Sequence, residues 1–174
     1  IAGADPSIAI GADGLPIISY WDDNAGDLRV THCGNLTCSA STSLAVETTN
    51  SVGRYSDIAV GSDGLPIIAF HDATNLDLRV MHCGNLRCSA GNTATAVDTA
   101  GSVGHFASIA IGSDGLPVIS HYEGTLRNVK VTHCSNVACT AATSLTIDAV
   151  GDVGAPSSIA IGSDGFPVVA YRDN

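Results

Sequence analysis

Ser-Ile-Ala-Ile-Gly-Ala-Asp-Gly-Leu-Pro-Ile-Ile-Ser-Tyr, residues Ser7–Tyr20, decides the fold, because this stretch returns nearly unchanged three more times. The copies are residues Asp57–Phe70, Ser108–His121 and Ser158–Tyr171. The second glycine of the motif recurs after 50, 51 and 50 residues, at Gly14, Gly64, Gly115 and Gly165. A fixed period of this length indicates one supersecondary unit that is repeated about 3.5 times.

Each repeat contains four strand patterns and no helical period, as the first repeat shows. Strand A covers Ser7–Gly11 and leads into an Ala-Asp-Gly turn, in which glycine can adopt a positive φ. Strand B begins at Pro16, where a missing N–H costs least, and is apolar on both faces. Strand C, Leu28–Cys33, alternates apolar and polar residues, and Thr42–Thr48 supplies strand D. The unit is therefore predicted to be a four-stranded antiparallel meander.

One such meander buries too little surface to be stable alone, so the repeats are expected to stack on one another. Four strands per unit at this period are typical of β-propeller blades. We therefore predict an all-β chain of about 3.5 blades with 50 to 51 residues each. The predicted divisions are repeat 1 at residues 1–56, repeat 2 at 57–107, repeat 3 at 108–157 and a half repeat 4 at 158–174, with strands A and B only.

The motif also resembles a known group of proteins. Ile-Ala-Ile-Gly-Ser-Asp-Gly-Leu-Pro-Val-Ile-Ser at residues 109–120, with Asp-Leu-Arg-Val after strand B in the first two repeats, looks like blades of secreted bacterial propellers related to sialidase-type and lectin-type propellers. The resemblance implies the architecture and an extracellular setting, not one activity. The chain departs from the sialidase Asp-box, because Asp63 and Gly64 are adjacent, and it also lacks the Asp-x-Asp-x-Asp-Gly loop of calcium-binding blades.

The six cysteines form three copies of one spacing, and each pair brackets a short polar loop. A hairpin loop of this length can bring two Cβ atoms to disulfide distance, and three such bridges indicate an oxidising compartment. The alternative is a metal site, because a histidine precedes the first cysteine of each pair, but structural zinc needs a second ligand pair that each repeat does not supply. We therefore predict disulfides and no metal for Cys33 and Cys38, Cys83 and Cys88, and Cys134 and Cys139.

Composition excludes several classes of function. Seventeen acidic residues against seven basic ones give a net charge of -10, which disfavours a nucleic-acid partner. No apolar run reaches the roughly 20 residues that span a bilayer, so no membrane span is expected. The sequence begins at Ile1 without the pattern of a signal segment, so a secreted protein would already have lost it. We predict a secreted or surface location and no cofactor.

The repeats diverge where strand B ends, and there an aromatic or cationic residue precedes an acid. Rings that stack on sugar faces and carboxylates that accept hydrogen bonds from hydroxyl groups are the composition of a glycan-binding rim. The alternative is plain packing between blades with a solvated acid. The eight candidate residues are Trp21, Asp22, His71, Asp72, Tyr122, Glu123, Arg172 and Asp173.

A glycosidase needs two carboxylates at a set separation, one with a raised pKa, and a sialidase-like site would add an arginine cluster. Arg29, Arg79 and Lys130 occupy repeated positions of strand C and are expected to face outward. No catalytic residue is therefore assigned, and the chain is predicted not to be an enzyme. The aspartates of the A–B turns are predicted to be turn formers, and Arg127 disfavours calcium in the third B–C loop.

The half repeat leaves strand B with a free apolar edge, which is an aggregation hazard. We expect self-association through the incomplete fourth repeat, or further repeats, to give a ring or a fibre. The leading hypothesis for function is an extracellular, non-enzymatic structural or adhesive module. The alternatives are a glycan-binding propeller and, below it, a propeller glycoside hydrolase.

Overall fold

A computed structural model describes residues 3–174, so Ile1 and Ala2 of the predicted repeat 1 lie outside the described residues. Fourteen strands form three four-stranded sheets and one two-stranded sheet, each an antiparallel meander. The first sheet has β1 Gly3–Ile10, β2 Pro16–Asp22, β3 Asp27–Cys33 and β4 Ser41–Glu47. The second has β5 Val52–Val60, β6 Pro66–Asp72, β7 Asp77–His82 and β8 Thr93–Asp98. The third has β9 His105–Ile111, β10 Pro117–Glu123, β11 Asn128–Cys134 and β12 Ala142–Asp148, and the fourth has β13 Val153–Ile161 and β14 Pro167–Asp173.

These sheets confirm the predicted all-β fold of repeated four-stranded meanders. No described residue belongs to a helix that is long and apolar enough to cross a membrane. The division of the chain into three full repeats and one half repeat remains our proposal for its domain organisation.

The repeated A–B turn forms as predicted. In the first sheet, Asp13 Oδ1 accepts a hydrogen bond from the backbone N–H of Leu15 at 3.1 Å, and Gly14 has a φ of 77°. The same bond recurs in the other three sheets, at Asp63, Asp114 and Asp164. An aspartate that bonds two residues ahead and a glycine in the left-handed region fix this tight turn.

Strand A is longer than the sequence predicted. The expected strand Ser7–Gly11 begins at Gly3 in the structure, and a register shift separates Ala4 from Ser7 in its pairing with β2. In the second sheet the start of strand A also passes very close to strand C of the first sheet, because a Cβ on Gly53 would lie 2.7 Å from the Cα of Leu28. The bulge breaks the alternation of apolar and polar residues, so the pattern marks only the second half of the strand.

The sheets stack in chain order, with inner strands β1, β5, β9 and β13 next to one another. We call the face of each sheet toward the following sheet its front and the opposite face its back. The front of the first sheet packs Ile17 and Val30 against Ile58, Ile68 and Phe70 on the back of the second. A second core repeats this arrangement between the second and third sheets, with Ile67, Ala69, Leu78 and Val80 against Ala107, Ile109 and Ile119.

Disulfides join all three predicted cysteine pairs, Cys33–Cys38, Cys83–Cys88 and Cys134–Cys139. The second and third bridges are buried parts of the two cores. Because all six cysteines form disulfides, their thiols are not available as ligands for a metal ion. Among residues 3–174, no three His, Cys, Asp or Glu side chains converge in a way that would hold a metal ion.

Two of the three basic residues of strand C, Arg79 and Lys130, do not face outward as predicted, whereas Arg29 of the first sheet stays partly exposed at 27% and lies 3.5 Å from Asp22 of its own sheet. Arg79 lies 3.2 Å from Glu47 of the preceding sheet and 3.6 Å from Asp72, and its side chain is only 16% exposed. Lys130 is buried against the carboxylate of Asp98, again from the preceding sheet. The acid at the end of strand D thus pairs with a cation of the following sheet, and the pairing compensates the cost of burying both charges.

His121 lies fully buried beside this last ion pair. Its Nδ1 accepts a hydrogen bond from the backbone N–H of Gly104 at 3.3 Å, and its Nε2 lies 2.9 Å from Thr132 Oγ1. A ring that accepts at Nδ1 carries its proton at Nε2 and is neutral. Burial, with a smaller contribution from Lys130, lowers the pKa of His121 to about 4, although Asp98 opposes the shift.

Candidate functional site

The strand directions give the stack two distinct ends. The B–C loops and the D–A connections meet at one end, which we call the loop end. The A–B turns and the disulfide-closed turns lie at the opposite end, which we call the turn end. All eight candidate residues from the sequence lie at the loop end, since each pair closes a strand B.

The candidate acids of the first three sheets bind their own B–C loops. Asp22 accepts hydrogen bonds from the backbone N–H groups of Asn24 and Ala25. Asp72 accepts the equivalent bonds from Thr74 and Asn75 at 3.0 Å each. Glu123 accepts N–H bonds from Thr125 and Leu126 at 2.7 Å each. Burial alone would raise the pKa of Glu123, but these backbone bonds outweigh it and lower the pKa. The carboxylates therefore shape the loops, and Asp173 alone is exposed.

The residues before these acids pack across to the next sheet. Trp21 lies under the guanidinium of Arg54, with 4.2 Å from the guanidinium carbon to the ring centroid. His71 stacks on His105 with 4.1 Å between ring centroids, and the Tyr122 hydroxyl donates to Asp152 at 2.9 Å. Arg172 in the half repeat is exposed. The packing that the sequence offered as an alternative is thus present, and it places rings of neighbouring sheets side by side.

A cleft that the sequence pattern did not indicate opens beside these rings, between the inner strands. Its volume is about 220 Å³, and equivalent positions of all four sheets line it. We call it the inner-strand cleft and define it by Asp5, Pro6, Tyr55, Ser56, Phe106, Ala107, Pro156 and Ser157. The equivalent positions differ in residue type from repeat to repeat, so the repeat pattern alone could have marked them as variable.

Three of the lining residues have a left-handed backbone although none is glycine. Asp5 has a φ of 50°, Tyr55 of 54° and Phe106 of 51°. A positive φ at an aromatic residue is uncommon and costs on the order of 1 to 3 kcal/mol, which the surrounding structure must compensate. The bulge of strand A imposes this conformation, and it turns three side chains toward one cleft.

Aromatic rings form a continuous cluster from the cleft to the loop end. The centroid of Tyr55 lies 4.5 Å from that of Phe106, 5.5 Å from His105 and 6.2 Å from His71. Tyr122 continues the cluster with its centroid 6.3 Å from His105. Tyr55, His105, Phe106 and Tyr122 are only partly buried, so the cluster presents ring surface to solvent. Concave sites with aromatic walls and a few polar groups are the usual form of ligand-binding sites.

The two imidazoles in the cluster are neutral at physiological pH. Burial, with the neighbouring His71, lowers the pKa of His105 to about 4. Burial also lowers the pKa of His71, although the carbonyl of Val103 at 2.7 Å opposes the shift by accepting from Nδ1. A neutral imidazole has one donor and one acceptor nitrogen, and here His71 Nδ1 already donates to Val103, while His105 Nε2 lies 2.9 Å from Ser102 Oγ. The carboxylate of Asp5, which accepts from the N–H of Tyr55 at 2.9 Å, adds a negative charge to the cleft wall.

The turn end carries a second repeated constellation that sequence reasoning missed. The imidazole Nε2 of strand C contacts the carboxylate of the A–B turn in three sheets, at 2.9 Å for His32–Asp13, 2.7 Å for His82–Asp63 and 2.9 Å for His133–Asp114. Each pair is 19 residues apart, a constant spacing that a search for paired His and Asp would have found. These pairs hold the A–B turn against strand C.

Comparison with known proteins gives a structural likeness but no family. Neither a protein-family model nor a curated protein matches the sequence. A solved structure, that of an α-L-arabinofuranosidase from Lactobacillus brevis, matches with a TM-score of 0.57 and 14% sequence identity. The match covers 83% of this chain and 53% of the other, so the chain spans about half the length of that enzyme. At this identity the likeness shows the fold alone.

The comparison corrects one prediction and leaves another without support. The sequence predicted that the chain is not an enzyme, and that prediction is contradicted, because a solved structure with a matching fold is that of an enzyme. The resemblance to propellers is supported at the level of the fold, as the four-stranded meanders and this match agree. The structural or adhesive role receives no support from the match.

Proposed function

We propose that this protein recognises carbohydrate at the loop end, with the inner-strand cleft and the adjoining aromatic cluster as the binding surface. The observation that carries the proposal is the open ring cluster of Tyr55, His105, Phe106 and Tyr122 beside the cleft. Sugars present C–H faces that pack on rings and hydroxyl groups that need donors and acceptors. The cluster offers both kinds of contact within one concave surface.

The charges near the cleft favour a neutral or cationic sugar over an acidic one. Asp5 places a carboxylate in the cleft wall, and the neutral imidazoles of His71 and His105 add no positive charge to balance it. Arg54 is a cation that acts on both imidazoles, and its guanidinium stacks on Trp21. We therefore expect uncharged pentoses or hexoses to bind better than sialic or uronic acids.

A glycan array followed by titration calorimetry tests the proposal. The array identifies the best-binding neutral glycan, and calorimetry then compares the wild type with Tyr55→Ala. Loss of one ring from the cluster should weaken binding about tenfold or more, which corresponds to about 1.4 kcal/mol. Phe166→Ala is the matched control, because Phe166 is an aromatic residue that is 70% exposed at the turn end. Absence of binding to every glycan, or equal losses in both variants, would overturn the proposal.

Hydrolysis of a glycoside is the second candidate function, and the match to an α-L-arabinofuranosidase favours it. Retaining and inverting glycosidases need two carboxyl groups on either side of the bond that breaks. Among the residues that line the cleft, Asp5 supplies one carboxylate. A residue outside the cleft lining would have to supply the second carboxylate. Asp57 could do so only if it gave up the hydrogen bonds that it accepts from Ser7 and Ile109.

The second candidate is tested with 4-nitrophenyl glycosides, beginning with the α-L-arabinofuranoside. Asp5→Asn should abolish release of 4-nitrophenol, whereas Asp23→Asn should leave it unchanged, because Asp23 is an exposed acid in a B–C loop. If the wild type releases no 4-nitrophenol from any glycoside, hydrolysis is excluded and binding alone remains. We also propose that the protein is extracellular, since three disulfides form and persist in oxidising compartments.

A further inference from the structure

Planar side chains of one sheet cover the end of strand B in the preceding sheet at two contacts between sheets, which we call the first and second junctions. At the first junction the guanidinium carbon of Arg54 lies 4.2 Å from the ring centroid of Trp21. At the second junction His105 stacks on His71 with 4.1 Å between ring centroids. Arg54 and His105 are equivalent residues, because each directly follows a Val-Gly pair in its repeat. One position near the start of strand A therefore covers the end of strand B in the sheet before it.

The third junction, between the third and fourth sheets, has alanine at this position. Ala155 follows the third Val-Gly pair, and Tyr122 is the equivalent ring at the end of strand B in the third sheet. A methyl group is too small to cover an aromatic ring. Within residues 3–174, the ring contact of Tyr122 is an edge contact with His105 at 6.3 Å between centroids, and no guanidinium stacks on it. The face of the Tyr122 ring therefore lacks the cover that Trp21 and His71 have.

The fourth sheet packs on the third as the other sheets pack on each other, so the residue type at position 155 makes the difference. The hydroxyls of Ser120 and Ser157 lie 3.2 Å apart, and those of Ser19 and Ser56 lie 3.0 Å apart at the first junction. The N–H of Val153 donates to the carbonyl of a B–C loop residue at 3.0 Å, as its equivalents do at 2.8 and 2.9 Å. Strand β13 is thus present at the third junction in the same register as β5 and β9.

We propose that a pyranose residue of the bound glycan stacks its C–H face on the ring of Tyr122, beside Ala155. The sugar takes the place that a guanidinium and an imidazole take at the other two junctions. This inference rests on the proposed function and assigns its main stacking contact to one ring. The place adjoins the inner-strand cleft, because Pro156 and Ser157, which follow Ala155, line that cleft. A longer glycan would continue from Tyr122 into the cleft.

Neighbouring groups hold the Tyr122 ring in one orientation. Its hydroxyl donates to Asp152 Oδ1 at 2.9 Å, and Asp152 Oδ2 lies 3.5 Å from the guanidinium of Arg127. Burial and the hydrogen bond to this carboxylate raise the pKa of Tyr122, so the hydroxyl stays protonated at neutral pH. A ring that is ordered before binding loses little conformational freedom when a ligand packs on it.

The surroundings of the ring offer a hydrogen-bond acceptor and open space. The side chain of Asp152 is 31% exposed, so its carboxylate can accept hydrogen bonds from sugar hydroxyls. Gly124 borders the ring edge, since a Cβ on it would lie 3.6 Å from Tyr122 Cε1. The equivalent residues of the first two B–C loops, Asp23 and Ala73, carry side chains at this place. The glycine therefore leaves this side of the ring accessible to a bulky ligand.

NMR titration with monosaccharide probes tests the stacking contact directly. The probes are the methyl β-D-pyranosides of glucose, galactose, mannose and xylose, and the signals are the ring protons of Tyr122, assigned with the spectrum of Tyr122→Phe. We expect at least one probe to shift the Tyr122 signals more than those of Tyr20 in the first sheet. Saturation transfer from the protein should be strongest at the C–H protons on one face of that sugar.

Two pairs of variants measure the contribution of the uncovered ring. Ala155→His restores a covering imidazole, which strand A accepts at His105, and should weaken binding of the shifted probe about tenfold or more without removing any group. Ala40→His is the matched control, because Ala40 is an exposed alanine at the turn end. Tyr122→Phe keeps the ring and should bind within about threefold of the wild type, whereas Tyr122→Leu should lose tenfold or more.

The outcomes separate this inference from the proposed function. Unshifted Tyr122 signals with all four probes, equal binding by the wild type and Ala155→His, or equal binding by Tyr122→Phe and Tyr122→Leu would overturn the stacking contact. The proposed function would survive each of these results if the glycan array still shows binding that Tyr55→Ala weakens. A wild type that binds neither a probe nor any glycan of the array would overturn both.

Discussion

His121 is a single side chain that makes the stability of this fold depend on pH. Phe70 occupies the equivalent position in the second sheet, so the fold accepts an aromatic ring without a charge there. In the third sheet the ring is an imidazole whose Nδ1 faces a backbone N–H, an arrangement that only the neutral form satisfies. Protonation would set a donor against a donor in a buried site, next to Lys130.

The pKa shift of His121 predicts a loss of stability on acidification. Its pKa is about 4 in the folded protein and about 6.5 in the unfolded chain, so the unfolded state binds more protons between these values. The free energy of unfolding should therefore fall as the pH falls from about 6.5 to 4. His121→Phe should make this dependence shallower, and urea unfolding at several pH values measures both slopes. Equal slopes in wild type and variant would contradict the assignment, whatever the absolute stability of the variant.

Asp57 is a second residue whose role extends beyond its own strand. Its Oδ1 accepts from Ser7 Oγ of β1 and from its own strand, and its Oδ2 accepts from the N–H of Ile109 in β9 at 2.8 Å. One carboxylate thus joins three inner strands. Asp57→Ala should lower the free energy of unfolding by about 1 to 3 kcal/mol, because it leaves donors unpaired. Ser158→Ala is the control at the equivalent exposed position in the fourth sheet and should change stability by less than about 0.5 kcal/mol.

At the scale of the element, the strand C to strand D hairpin does more than close a loop. The Cys83–Cys88 bridge is buried against the first sheet, whereas the Cys33–Cys38 bridge has no preceding sheet within the described residues and leaves Cys38 partly exposed. Closing so short a loop contributes about 2 kcal/mol in either case. Removal of the buried bridge should cost more, because it also removes packing from a core.

Two double variants measure this difference. Replacing both cysteines by alanine at positions 83 and 88 should lower the free energy of unfolding by about 1 kcal/mol more than the same change at positions 33 and 38. Urea unfolding under non-reducing conditions gives both values. Equal losses would mean that loop closure alone accounts for the bridges and that the hairpin adds nothing to the contact between sheets.

The sequence predicts the local features of these elements but not the contacts between repeats. The A–B turns follow from Asp and Gly at fixed places, and the four strands per repeat follow from the alternation of apolar residues, because both are local properties. Contacts between repeats are not local. Lys130 therefore looked solvated in a half-buried strand, although its partner Asp98 lies in another sheet. The cleft residue Tyr55 was missed for the same reason, since a bulge rather than a side-chain pattern directs it toward Phe106.

At the scale of the whole molecule, comparison of equivalent residues in the repeats shows which apolar surfaces have no packing partner within the described residues. Ile8 is 61% exposed on the back of the first sheet, while Ile58, Ile109 and Ile159 at the same position are at most 8% exposed. Val168 is 60% exposed on the front of the fourth sheet, while Ile17 and its other equivalents are at most 5% exposed. The two end faces of the described stack carry the residues that meet at every interface within it. We propose that these faces associate, because exposed apolar patches of this kind are typical of association sites.

The end faces predict that the described stack associates head to tail, front of the fourth sheet to back of the first. Light scattering after size exclusion, without reducing agent, should give a mass above the 17.5 kDa of one chain, and the mass should rise with concentration. Ile8→Asp should reduce the mass toward one chain, because a carboxylate would be buried without a partner in the new interface. Leu36→Asp is the matched control, since Leu36 is 76% exposed in a disulfide-closed turn outside both faces. A single-chain mass for the wild type at high concentration would contradict the prediction, and an equal effect of both variants would place the contact elsewhere. Head-to-tail contacts extend into a ring if the rotation per copy closes and into a fibre if it does not, so electron microscopy of the same sample distinguishes the two forms.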